Sequence, residues 1–474
     1  MIKSSIYIIS LFFLFLIISG KALSDDLPDL GSPDLIEYDS ATEKKLGRAF
    51  TYALHTQYKL YDDLETNNYI RQIGHRLASY TGSNRNFSFY IIDDPNINAF
   101  AGPDGVIGIH TGLISAVESE DELAAVIAHE ISHVTQNHLS RRYEYASTQG
   151  SVNSIASLIA AILIGMHDPN AGMAALLSGM SLNMQNSLKN SRLHETEADS
   201  IGIKLLHKGN YNPNAMGRFF GRLAKASQHN SNHFPEILRT HPTSDHRLAE
   251  AENRAMALIK KQQTKQPSLL NYIKLRLAYN QGNIEQAKQQ YNLTLNDNEN
   301  CYYETLVQLN LAESAKHCLS INTQTLKTLP LNINLLLESL YFNKKNAKRL
   351  SKEHIKYARE LNPDDISLTI RYGRMLSLEN KTLQSIQLLE NKVKDSRYKF
   401  ELYKELAERY NETEQEDYAY FSLARSYLTI GNAEKSKHFL EKAKNLNNTE
   451  NDNLLNALKK FMEENRKLLE ILDK

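Results

Sequence analysis

Two histidines four residues apart flank a glutamate in the run His129-Glu130-Ile131-Ser132-His133. Residues four apart on a helix project from one face, so both imidazoles can hold a single ion while the Glu130 carboxylate stands beside it as a base. A third ligand of the right kind follows in His194-Glu195-Thr196-Glu197-Ala198-Asp199. Glu195 and Asp199 share a helix face there, so one carboxylate can bind the ion while the other holds a ligating histidine. Two histidines and a carboxylate leave a tetrahedral zinc ion, one per subunit, with an open position for water, as catalysis requires. A structural zinc would want four closed ligands, commonly cysteines, and neither cysteine of the chain lies near the motif. The five-residue pattern alone also fits an amphipathic helix with surface histidines; the third ligand and a well-marked helix start favour the metal.

That helix start is the capping box Ser119-Glu120-Asp121-Glu122, after which Leu123, Val126, Ile127, Ile131 and Val134 recur at helical spacing. Gln136 and Leu139 stand where the metzincin pattern needs glycine and a third histidine, so the ligand set is the glutamate-completed one. His138, five residues past His133, is turned off the metal face of such a helix and is expected at the surface. Upstream, Ser40-Ala41-Thr42-Glu43 caps a helix reaching about residue 58, and a second helix is expected over 64–80. Residues 87–92 read as a strand, and two more short strands fit 99–101 and 106–110 around Gly102-Pro103-Asp104-Gly105. The last of these, Val106, Ile107, Gly108, Ile109 and His110, is a candidate edge to which an extended substrate could add; the alternative is an ordinary interior strand.

The chain holds 474 residues, too many for one compact core, and 55 basic residues balance 55 acidic ones with no basic cluster, which argues against a nucleic-acid partner. Residues 1–24 read as a cleaved secretory signal, with Lys3, an apolar run and Ala22-Leu23-Ser24, which directs the chain to the periplasm; an uncleaved anchor is the alternative, for which the run is short. Residues 25–39 form an extended lead-in. The apolar stretch 155–184 reads either as a helical hairpin flanking the cleft or as buried core, each half too short to span a bilayer, so membrane contact is peripheral at most. Cys301 and Cys318 either pair in the oxidising compartment or stay as two buried thiols.

The polar run 262–267 is the best boundary, since helices alone follow it. The segment from Tyr279 through Gly282 to Ala287 and that from Tyr427 through Gly431 to Ser436 each read as helix, glycine turn and second helix. A further pair fits 368–389, and residues 357–363 have a repeat-like ending at Pro363. These resemble tetratricopeptide repeats, which stack because no single unit buries its apolar face.

The motif His129 to His133, the Glu195 and Asp199 pair, the segment Asn98-Ala99-Phe100-Ala101 with its glycine-containing turn, and His241-Pro242 followed by Arg247 resemble the M48 family of metallopeptidases. The turn Gly102-Pro103-Asp104-Gly105 departs from the family's usual form. The resemblance implies an α+β fold: a mainly helical zincin-type (gluzincin) domain with a small β-sheet over 40–261, then an all-α tetratricopeptide-like domain over 268–474. It implies that His129, His133 and Glu195 hold Zn2+, that Glu130 is the catalytic base, and that Asp199 supports it through a histidine. It places His241 near the zinc, either as a donor to the reacting carbonyl oxygen or as a fourth ligand that restrains the enzyme. Arg247 would orient substrate or a carboxylate, with a surface ion pair as the plain alternative, and Asn98 would serve the substrate or a ligand; His246 has no assigned role. The implied activity is a periplasmic zinc endopeptidase acting on unfolded or misassembled envelope proteins and assisting outer-membrane β-barrel assembly, with the assembly machinery a partner through the repeats. The rival is a repeat-built chaperone or assembly factor with little proteolysis.

Overall fold

The computed structural model describes residues 40–142, 184–229, 235–258, 268–310, 352–361, 363, 365–446 and 452–466. The expected signal peptide, the lead-in, residues 155–183 of the apolar stretch, the 262–267 linker and Cys318 lie outside them.

Helix α1 (Ser40–Gln57) buries Leu46, Phe50 and Leu54. Helix α2 (Leu64–Ala78) starts where Asp63 accepts from the Thr66 amide at 2.9 Å, an N-cap that satisfies an otherwise orphaned donor. Three strands follow: β1 (Ser88–Ile92), β2 (Ala99–Ala101) and β3 (Val106–His110). Their order is β1-β3-β2, with β1 parallel and β2 antiparallel to β3. The β2–β3 turn needs its glycine: Gly105 has φ 71°, and a Cβ there would meet the Asn86 carbonyl oxygen at 2.0 Å.

This order overturns the edge reading of Val106, Ile107, Gly108, Ile109 and His110. The strand is central and buried throughout, with both ladders already taken. A hairpin folds β2 to the outside while β1 pairs from the other side, and β2, packed against the motif helix, is the sheet's edge there.

The chain then forms α3 (Thr111–Ala116) and α4 (Glu120–Thr135). Every residue from Asp121 to Val134 is buried, so α4 is a core helix, enclosed by α2, α5 (Met184–Lys208) and α6 (Ala215–His229). The alternative of an amphipathic helix with surface histidines is thereby excluded. Short α7 (Glu236–Thr240) and α8 (Asp245–Leu258) close this side, α7 being tied to the sheet where the Ile237 amide donates to the Ile97 carbonyl at 2.9 Å.

The core does not stop at the expected boundary. Tyr272, Ile273, Leu277 and Ile284, from α9 (Leu270–Asn280) and the turn after it, share one buried cluster with Leu113 and with Val126 and Ile127 on α4. Tyr302 from α11 (Asp297–Asn310) belongs to it as well. After Gly282 there is only a 3-10 turn, Ile284–Gln286, and the four-residue α10 (Ala287–Gln290), so the repeat expected at 279–287 lacks its second full helix. Cys301 is disulfide-bonded.

Beyond α12 (Lys352–Leu361), α13 (Ile366–Leu378) and α14 (Thr382–Asp395) form the pair expected at 368–389, α15 (Lys399–Glu412) follows, and α16 (Glu416–Thr429) and α17 (Ala433–Leu446) flank Gly431 as expected, before α18 (Asp452–Glu464). The left-handed turn residues Asn380 and Glu414 stand 34 positions apart, the tetratricopeptide spacing. This helical region rests on α2. Arg71 reaches Glu401 at 2.6 Å and lies 3.6 Å over the Tyr398 ring, and His75 Nε2 lies 2.8 Å from the Tyr398 hydroxyl.

Candidate metal centre

Helix α4 carries His129, Glu130 and His133; α5 carries Glu195, Glu197 and Asp199; His241 caps the C-terminus of α7; and Arg247 comes from the first turn of α8. His129, His133, Glu195 and His241 are all buried, and one ligating atom from each falls within 4.8 Å of every other. His129 Nε2 lies 3.0 Å from His133 Nε2, 3.3 Å from Glu195 Oε2 and 3.2 Å from His241 Nδ1. His133 Nε2 is 3.5 Å from Glu195 Oε1, and His241 Nδ1 is 3.0 Å from Glu195 Oε2.

These separations allow a test of fit. Ligand atoms at zinc distance around a tetrahedral ion stand about 3.3 Å from one another. The five measured separations, taken to one or the other Glu195 oxygen, scatter around that value, and three imidazole nitrogens converge with that carboxylate. Glu195 Oε1 has no hydrogen-bond donor, an orphan that an ion would complete. The residues therefore fit one zinc ion, with His129, His133 and Glu195 as the expected ligands and His241 at the fourth corner.

Glu130 is 1 % exposed, and its Oε1 has no hydrogen-bond donor while standing 3.4 Å from His241 Nε2. Asp199 Oδ1 approaches His129 Nδ1 at 3.0 Å, so the carboxylate orients a ligand and does not reach the reacting side of the site. Burial alone would push the His129 imidazole down, yet Asp199 and Glu195 together raise it to about 9. Burial likewise opposes ionisation of Glu195, but the surrounding histidines hold its carboxyl well below the usual range. Asp199 is also held low against its burial, by Arg247 and His129.

Arg247 is no surface ion pair. It is 6 % exposed and grips Asp199 with Nε at 2.5 Å and Nη2 at 2.9 Å. Its Nη1 donates to the Pro242 carbonyl at 2.9 Å and reaches Glu195 at 3.2 Å. One guanidinium thus braces a ligand, the carboxylate behind another ligand, and the loop that carries His241. Asn98 stays apart from the cluster: its Oδ1 accepts from the Ala99 amide at 2.9 Å and its carbonyl accepts from the His110 amide at 3.0 Å, fixing the β2–β3 ladder. His246 points outward at 89 % side-chain exposure.

The reading of His138 as a surface residue is wrong. It is 2 % exposed, with Nδ1 at 2.8 Å from His133 Nδ1 and Nε2 at 3.1 Å from Glu197. Helical projection fails because α4 ends at Thr135 and Asn137 adopts φ 56°, which swings the next side chain back under His133. Asparagine just past a helix end is itself a sequence signal for such a left-handed turn.

A core helix bearing two histidines and a base, with a carboxylate from a second helix completing the ligands, is the arrangement of a glutamate-completed zinc peptidase. Residues 64–255 match the model of peptidase family M48. The chain is similar to the beta-barrel assembly-enhancing protease of Escherichia coli strain K12, 36% identical over 233 residues that cover 49% of this chain and 47% of that protein. The protein of the same name from Yersinia pestis is 37% identical over 233 residues, again 49% of this chain and 47% of the relative. The mitochondrial metalloendopeptidase OMA1 of Schizosaccharomyces pombe is 30% identical over 185 residues, 39% of this chain and 51% of that protein. The chain spans about half the length of the curated relatives it matches.

Proposed function

We propose that this chain is a zinc endopeptidase of the periplasm, exported by the signal at 1–24, that cleaves unfolded or misassembled envelope proteins and assists outer-membrane β-barrel assembly. The observation that carries the reading is the buried cluster of His129, His133, Glu195 and His241 with the unpartnered Glu130 oxygen beside it. Among the described residues no helix is long and apolar enough to cross a membrane. Bound by His129, His133 and Glu195, zinc supplies the Lewis acid that activates water and polarises the scissile carbonyl. Glu130 accepts the proton of the attacking water and delivers it to the leaving amide nitrogen, which departs as an amine. Asp199 and Arg247 hold His129 and Glu195 in place for that step. An extended substrate adds to the β2 edge at Ala99–Ala101, which favours unfolded chains because a folded segment has no free backbone to pair.

His241 acts as a restraint in this reading. Its Nδ1 stands at the corner that water would use, and its Nε2 faces the general base. Activation therefore needs His241 to move aside.

A specific feature keeps the chaperone reading in view. A cavity of about 700 Å³ lies between the peptidase core and the helical hairpins, lined among others by Tyr61, Arg71, Tyr90, Arg371, Phe400 and Glu401. Its aromatic and paired-charge lining suits a polypeptide segment, and the assembly machinery is the partner we assign to this region. Glu130→Gln separates the two functions: zinc content and partner capture should persist while cleavage of an unfolded protein such as casein disappears. If the variant still cleaves, Glu130 is not the base and the peptidase mechanism fails.

A further inference from the structure

The second metal histidine has its own orienting chain, built from residues that the motif does not include. Resting on the zinc reading above, we infer that His138 and Glu197 form a relay that fixes the tautomer and plane of His133, as Asp199 does for His129.

A histidine that offers Nε2 to a metal carries its remaining proton on Nδ1 and donates it outward. His133 Nε2 faces the cluster and its Nδ1 lies 2.8 Å from His138 Nδ1, so His133 is the donor and His138 Nδ1 the acceptor. The other nitrogen of His138 must then bear a proton, and it finds an acceptor in Glu197 Oε2 at 3.1 Å. Arg141 Nη1 anchors the same oxygen at 3.1 Å. Each step in this chain has one allowed direction, set by the metal end.

The His138 ring is also held in plane. It stacks on His194 with centroids 4.3 Å apart and an interplanar angle of 15°, and it meets His133 edge-on at 75°. Helix α5 thereby serves both metal histidines: it gives Asp199 to His129 directly and Glu197 to His133 through an intermediate ring. The left-handed turn at Asn137 makes that insertion feasible, since a continued helix would carry residue 138 away.

His138 is a positioning residue in this account and touches neither substrate nor metal. The test compares zinc dissociation constants, measured by competition with a chromophoric chelator, for wild type, His138→Ala, His138→Asn and Glu197→Ala, alongside urea unfolding of the metal-free proteins. His138→Ala should weaken zinc binding by roughly 10- to 100-fold, the usual cost of losing an orienting partner. His138→Asn, whose amide oxygen replaces Nδ1 as acceptor, should stay nearer wild type, and Glu197→Ala should weaken binding less than His138→Ala. Metal-free unfolding should not follow that ranking. Wild-type affinity in His138→Ala, or equal loss in the alanine and asparagine variants, would overturn the relay; should the alanine variant not fold, wild-type affinity in Glu197→Ala does the same. A wild type that binds no zinc sinks the metal reading and the relay together, whereas one that binds zinc but cleaves nothing sinks only the peptidase proposal.

Discussion

Replacing Arg247 with methionine removes a buried cation that two buried carboxylates share. The guanidinium makes a bidentate contact with Asp199, reaches Glu195 at 3.2 Å and donates to the Pro242 carbonyl at 2.9 Å. Methionine fills most of the space but takes the guanidinium from Asp199 and Glu195, 3 % and 2 % exposed, and leaves Asp199 only His129 as a cationic neighbour. Breaking a buried pair in this way costs about 3–5 kcal/mol. In the double variant Asp199→Asn/Arg247→Met one stranded charge is gone, so its loss should fall short of the sum of the single losses by about 0.5–3 kcal/mol. The assay is urea unfolding of the metal-free protein followed by tyrosine signal, which the chain's 25 tyrosines and lack of tryptophan make practical. An Arg247→Met variant within about 1 kcal/mol of wild type would place this contact among ordinary surface pairs and refute the bracing role.

Two further perturbations follow from packing and charge. A Cβ at Gly74 would stand 2.3 Å from the Phe89 ring, so Gly74→Ala should destabilise the peptidase core by about 1–3 kcal/mol, whereas a thermal midpoint at or above wild type would show that α2 and β1 are not in contact there. His55 and His75 sit where the helical region meets the core, and burial pushes each down to about 4 from 6.5. Because the folded value is below the unfolded one, their contribution is intact above pH 6.5 and is lost as pH falls toward 4, by on the order of 2–3 kcal/mol each. His55→Phe/His75→Phe should therefore lose less stability than wild type between pH 6.5 and 4; parallel pH profiles would rule out the mechanism.

The motif helix is legible in the sequence because its signals are local: the capping serine accepts from the Glu122 amide at 3.3 Å, and the apolar residues recur at helical spacing. The box is not quite reciprocal, since the Glu122 carboxylate takes the Glu118 amide instead of that of Ser119. The Glu195 and Asp199 spacing is legible for the same reason, as are the hairpins around 380 and 431. What escapes is non-local or turns on a single backbone angle. A short, mostly apolar strand reads alike at the edge and in the centre of a sheet, and only the short β2 hairpin decides the position of Val106–His110. Arg247 reads as readily as a surface charge because its partner is 48 positions upstream. Projecting His138 along a helix fails because that helix has already ended at Thr135, with Asn137 as the sign of it. The glycine turn at 282 matches a repeat in sequence, yet the residues after it fold into the first core.

The central claim is a zinc site held closed by its own fourth histidine. Its most direct test is the cleavage rate of unfolded casein by wild type and His241→Ala, measured with zinc content on the same preparations. The account predicts one zinc in each and faster cleavage by the variant. A variant that keeps its zinc but cleaves more slowly would contradict the restraint and make His241 a donor to the reacting carbonyl.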